Sequence, residues 1–227
     1  MSDQMTLYLL CFIPPMLLAL YAQGLVKSRY ARASKTPSNI TGYQAARSIL
    51  DSAGLQGVPI EEIHQDALLN YYSPKERKIC LSSEVFRGRN LAAVGIAAHE
   101  AGHAIQHAKN YPFLRLTQLA FPIASLGSRM AFTLLLVGAV MNFTGLILVA
   151  LLCFGAAAIY QIINLPVEYN ASNRAKARLA SMNMVTPSEL GCVRGVLSAA
   201  ALTYVAAMIS ALMQFLYFAL SILGRRD

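Results

Sequence analysis

The chain has 227 residues, 56% of them hydrophobic and only 13% charged, with a mean hydropathy of +0.47. These values lie outside the range of soluble globular domains and point to a membrane protein. A formal net charge of +8 raises nucleic acid as a partner, but no binding fold and no interleaving of aromatic with basic residues accompanies it, so none is expected.

Nearly uncharged stretches run over residues 5–26, 116–167 and 196–224, and a bilayer core needs roughly 20 apolar residues per helix. Ahead of the first stands Asp3 with no Lys or Arg, which argues against a cleaved signal peptide; residues 1–26 read as a retained transmembrane anchor. The run "KSRYARASK" that follows suits anionic lipid headgroups, making the bilayer itself a partner. Residues 27–115 hold 12 Lys/Arg against 7 Asp/Glu, and residues 166–195 hold 4 against 2. By the positive-inside rule both polar regions are expected on the cytoplasmic side.

Within residues 27–115, "TPSNITGYQAARSILDSAGLQG" predicts a short helix. Thr41 and Gln44 have capping-box spacing, Ala45, Ile49 and Leu50 share one face, and Gly54 suits the stop. In "ALLNYYSPKERKICLS" two apolar or aromatic runs flank a turn sequence, which predicts a β-hairpin near residues 67–82, the only β-structure expected. Asn90 is then placed to cap a helix starting at Leu91 and ended by Asn110 and Pro112. The four cysteines, Cys11, Cys80, Cys153 and Cys192, have unrelated spacings and imply neither a disulfide framework nor a Cys-based metal site.

That helix carries "AAVGIAAHEAGHAIQHAKN". Residues four apart lie one turn above each other, so His99 and His103 can aim two imidazoles at one ion. Glu100 projects beside it, where in zinc hydrolases such a carboxylate takes a proton from metal-bound water. His107 continues the row, but eight residues is about 12 Å of helix rise from His99, too far to share the ion. It reads as a residue supporting a ligand or as plain helix surface.

A catalytic zinc site takes a third protein ligand. Downstream of His103 the candidates are His107, Glu168, Glu189 and Asp227. Glu189 has capping-box spacing from Thr186, and Asp227 is the last residue, which leaves Glu168. His64 and Asp66 stay open as upstream alternatives. Pro166 suits a first helical turn, so Glu168 is expected near the start of a new helix, where it could instead merely complement the helix dipole. Small residues, Ala97, Ala98, Ala101, Gly102 and Ala104 on one helix and Ala171, Ser172 and Ala175 on the other, would let the two backbones approach closely.

If His99 and Glu168 lie on the same side, residues 116–165 must form a transmembrane hairpin, with "MNFTG" at 141–145 as its turn. Arg129, its one charge, is expected to face protein or water. A last transmembrane helix occupies residues 196–227. The expected fold class is a mainly α membrane protein of about four transmembrane helices with a small cytoplasmic α+β, zincin-like region. The divisions are 1–26, 27–115, 116–165, 166–195 (third-ligand helix and connector) and 196–227.

"AAVGIAAHEAGHAIQHA", "LPVEYNASNRA" and "AALTYVAA", in this order and with these apolar intervals, resemble the bacterial integral-membrane neutral zinc metallopeptidase family of the YugP type over nearly the whole chain. The resemblance implies a zinc-dependent peptidase, with the family's metal site falling on His99, Glu100 and His103 and its acidic residue on Glu168. Where the family pattern has a His-Tyr-Asp-Pro turn, this chain has Tyr71 to Pro74 and keeps only Tyr72 and the proline. Thermolysin-like enzymes orient the first histidine with an aspartate four residues after the ligand glutamate. Here Ser172 stands there, so Ser172 or Asn170 would have to supply that bond.

The expected chemistry is peptide-bond hydrolysis with one catalytic Zn2+, on a peptide or membrane-protein substrate, with Glu100 as general base. Tyr72 and Arg174 are candidate oxyanion donors by residue type. The competing readings are a site-two-type intramembrane protease, for which the chain lacks any aspartate between Asp66 and Asp227, and a non-catalytic zinc-containing membrane scaffold.

Overall fold

A computed structural model describes residues 2–64 and 69–223. Asp66, residues 67 and 68 at the start of the expected hairpin, and Asp227 lie outside the described residues. The fold is mainly helical, and the described residues divide into two compact units, the chain passing between them after Ala22, Leu114, Pro166 and Ala201.

One unit is built from parts of α1 (Ser2–Ser34), α5 (Pro112–Val140), α6 (Thr144–Ser181) and α7 (Pro187–Leu223). These four helices are long and apolar enough to cross a membrane. Asn142, with φ 51°, turns the chain between α5 and α6. The two helices then run back along each other: a Cβ added at Gly138 would sit 2.9 Å from Ile147, and one at Gly127 3.4 Å from Cys153. Phe154 stacks on Phe218 of α7 at 4.8 Å, and Phe12 of α1 meets Tyr217 edge-on at 5.3 Å. Leu119, Val140 and Leu152 are 74%, 77% and 73% exposed, an apolar exterior that only lipid would solvate favourably. Arg129 is exposed on α5, outside the helix packing.

A first expectation is corrected. No new helix begins at Pro166, because α6 continues through it to Ser181. Proline removes one i→i−4 bond, a loss that helices packed in a membrane protein tolerate. Glu168 is therefore a mid-helix residue, and its role as a partner of a helix N-terminus disappears.

The other unit has an α/β core. α2 (Gly42–Ser52) carries the full capping box, Gln44 N–H donating to Thr41 Oγ1 and Thr41 N–H to Gln44 Oε1, and buries Ala45, Ile49 and Leu50. Gly54 ends it at φ 75°. Strands β2 (Tyr71–Ser73) and β3 (Lys78–Ser82) form the antiparallel hairpin, with Arg77 in the left-handed region at φ 52° in the turn. A third strand, β1 (Ile60–Ile63), was not foreseen; it pairs parallel to β3, Ile60 opposite Ile79. The order β1-β3-β2 leaves β2 at an edge. The short α3 (Ser83–Arg87) leads to α4 (Leu91–Ala108), where Ala93 N–H donates to Oδ1 of the cap residue Asn90.

α4 lies at the centre of this unit, against α2, α3 and the sheet. Its contacts to the two long helices require glycine: a Cβ at Gly95 would sit 2.9 Å from Val193 Cγ1, and one at Gly102 2.6 Å from the Ala171 carbonyl oxygen. We predict that Gly102→Val, which must push α6 away, lowers stability in detergent by about 1–3 kcal/mol. Gly57→Ala, where an added Cβ meets nothing within 4 Å, should leave it within about 0.5 kcal/mol. Comparing the two thermal melting curves checks this.

Candidate metal centre

On α4, His99 and His103 present their Nε2 atoms to each other at 3.1 Å, with the rings near perpendicular at 86°. Across the Gly102 contact, Glu168 Oε2 lies 3.2 Å from His99 Nε2 and 3.6 Å from His103 Nε2. The ligand atoms of these three residues lie within 4.8 Å of one another. Two ligands about 2.0–2.1 Å from a tetrahedral zinc are separated by roughly 3.3 Å, so these spacings match the edges of such a site. Glu168 Oε2 is also buried without a hydrogen-bond partner of acceptable geometry. A buried acceptor in that state is costly, and a cation among the three atoms would satisfy it. Two imidazoles and a carboxylate suit zinc, so these residues fit the ion.

The supporting contacts differ for the two histidines. His99 Nδ1 faces Ser172 Oγ at 3.1 Å. His103 Nδ1 faces the carboxamide oxygen of Gln106 at 3.0 Å, and the Gln106 nitrogen donates to the Val167 carbonyl at 2.7 Å and to Asn170 Oδ1 at 3.0 Å. Gln106 was missed in the sequence. Its signal was a lone amide three residues after His103, on the same side of the helix.

Glu100 is 7% exposed. Burial pushes its carboxyl above the ordinary carboxylate range, while His99 and His103 pull it down, Glu168 pushes it up and the Tyr72 backbone N–H pulls it down; the net shift is upward. For His103, burial pulls the imidazolium down, but the charges of Glu168 and Glu100 and the Gln106 carboxamide outweigh it and push it up to about 9.

These residues agree with what the chain is similar to. Residues 8–223 match the family described as "Putative neutral zinc metallopeptidase". The chain belongs to that family. It is also 40% identical, over 223 residues covering 97% of this chain and 99% of the relative, to the protein of Bacillus subtilis (strain 168) named "Putative membrane protease YugP". No solved structure matches it.

The remaining candidates lie around the trio. Tyr72 Oη is 2.8 Å from His107 Nδ1, which ties the edge strand to α4 one turn beyond His103. Burial raises the Tyr72 phenol and lowers the His107 imidazole. Arg174 Nε donates to Asn170 Oδ1 at 2.7 Å. His64, the upstream alternative, is exposed, faces Ser83 Oγ at 3.0 Å and takes no part in the trio. Glu189 forms the capping contact expected of it, accepting from Thr186 N–H at 2.7 Å.

A metal ligand must shed its proton. With His103 pushed up to about 9, the metal-free protein is protonated there at neutral pH, and zinc must displace that proton. Apparent zinc affinity should therefore rise about tenfold per pH unit towards pH 9 and flatten above it. Chelator competition at several pH values measures this; affinity independent of pH would contradict it.

Proposed function

We propose that this protein is a membrane-embedded zinc-dependent endopeptidase that hydrolyses peptide bonds at the cytoplasmic face. The observation that carries the reading is the convergence of His99 Nε2, His103 Nε2 and Glu168 Oε2 beside the buried Glu100. Family membership supports the zinc peptidase chemistry.

His99, His103 and Glu168 would hold one zinc ion, which when bound supplies Lewis acidity, acidifying water and polarising the scissile carbonyl. Glu100 is the general base. Its carboxylate takes the proton of the attacking water and later delivers it to the departing amine nitrogen. The upward push on its carboxyl brings proton affinity closer to what that two-way transfer needs. A backbone hydrogen bond from Tyr72 on the edge strand favours its ionised form. The edge position of β2 suits an extended peptide added as a further strand, which favours unfolded or flexible segments close to the membrane.

Two features bear on the alternatives. α4, which carries both histidines, is not among the helices long and apolar enough to span a membrane, which weighs against an intramembrane protease. A purely structural zinc site has no use for a base beside the metal, which weighs against a scaffold.

Glu100→Gln should retain zinc at one ion per chain and lose about 10²–10⁴-fold in kcat on an unfolded protein substrate such as casein. Equal cleavage by the two forms would dismiss the mechanism. The cytoplasmic placement rests on the positive-inside distribution. In a background without the four cysteines, Asn142→Cys and Glu76→Cys should react with an impermeant maleimide from opposite sides, Asn142→Cys from outside intact cells.

A further inference from the structure

We infer that Arg174, Asn170 and Gln106 form a polar relay of fixed direction whose task is to hold His103 in the one tautomer that presents Nε2 to a metal. The inference rests on the zinc reading above; it puts Asn170 behind His103 instead of His99 and gives Arg174 a role other than oxyanion donor.

Hydrogen-bond direction in a chain of amides is ambiguous until something at an end decides it, because an amide offers a donor on one side and an acceptor on the other. Here both ends decide. Arg174 is a donor with no acceptor capacity, so the Asn170 atom 2.7 Å from its Nε must be the carboxamide oxygen. That same oxygen faces Gln106 at 3.0 Å, so Gln106 must turn its nitrogen towards it. Independently, the Val167 carbonyl, an acceptor only, demands the Gln106 nitrogen at 2.7 Å. Both N–H bonds of the Gln106 amide are thereby used, and its oxygen is left facing His103 Nδ1 at 3.0 Å. An oxygen there accepts, so Nδ1 keeps its proton, and the proton His103 gives up on becoming neutral is the one on Nε2, whose lone pair then faces Glu168 and His99. Gln106 is fully buried, so water offers no substitute partner.

His99 lacks this enforcement. Its Nδ1 meets the hydroxyl of Ser172, which can donate or accept and so permits either tautomer. The two histidines four residues apart are thus unequal: one is set by the fold before any metal arrives, the other adapts. The relay also links α4 to the stretch of α6 that bears Glu168, since Val167 and Asn170 flank it. The third ligand and the tautomer of the second are set by the same helix contact.

The test measures zinc affinity of the full-length protein in detergent, by competition with a chromophoric chelator. Gln106→Leu should raise the zinc Kd about 10- to 100-fold. Arg174→Ala, which frees the Asn170 amide to turn over, should raise it less, and the double variant should be no weaker than Gln106→Leu alone. Gln106→Glu, which can still accept from Nδ1, should bind zinc more tightly than Gln106→Leu, even though a buried acid is worse for stability than a leucine. A packing role would rank those two in the opposite order. Unchanged affinity in Gln106→Leu, additive losses in the double variant, or Leu above Glu would each overturn the relay while leaving the peptidase reading intact. A wild-type protein that takes up no zinc would overturn both.

Discussion

The approach of α6 to α4 at Gly102 is the constraint on which the rest of the site depends. The Ala171 carbonyl oxygen lies where a Cβ on Gly102 would be only 2.6 Å away. Only backbones this close let a glutamate side chain on one helix reach two imidazoles on the other. Ala97, Ala98 and Ala101 on α4 and Ala171 and Ala175 on α6 are likewise fully buried. Small side chains here serve proximity, a use familiar from helix pairs in membranes. The same closeness excludes water, which raises the electrostatic stakes for every polar group in the seam.

Two carboxylates share this desolvated space and are treated differently. Glu168 faces both imidazoles at 3.2 and 3.6 Å and has an oxygen without a hydrogen-bond partner. Glu100 sits on the histidine helix itself, is touched by a backbone hydrogen bond from Tyr72 on the strand, and has its proton affinity raised by burial. Placing like groups in unlike surroundings is how a protein separates a ligand from a base. The difference arises from which element each glutamate occupies.

The elements that hold the site are long, regular helices. His99, His103, Glu100 and Gln106 stand on an 18-residue helix with a capped start, and Glu168, Asn170, Ser172 and Arg174 on a 38-residue one. Sites on regular elements keep their geometry better than sites on loops. The length of α6 comes from its apolar portion, so the helix that carries Glu168 is also one of the four that suit a bilayer.

Much was legible in the sequence because it depends on local order along the chain. The period of a helix puts His99 and His103 on one face, capping chemistry marks Thr41, Asn90 and Thr186, and uninterrupted apolar length marks the spans. Glu168 could be singled out by elimination because acidic residues are so few. What local order could not reveal was decided by contacts distant in sequence. Strand β1, "IEEI", has no alternation that marks it and exists because β3 offers it a parallel edge. Pro166 looks the same in the first turn of a helix as in the middle of one, and only the packing of α6 carries the helix through it. Gln106 reads as an ordinary helix residue until α6 brings Val167 and Asn170 to its amide, 61 and 64 residues away. Periodicity and composition determined which side chains could meet a metal. The direction of each hydrogen bond around them was decided only in the folded protein, because an amide has no preferred end until a neighbour that can only donate or only accept is placed against it.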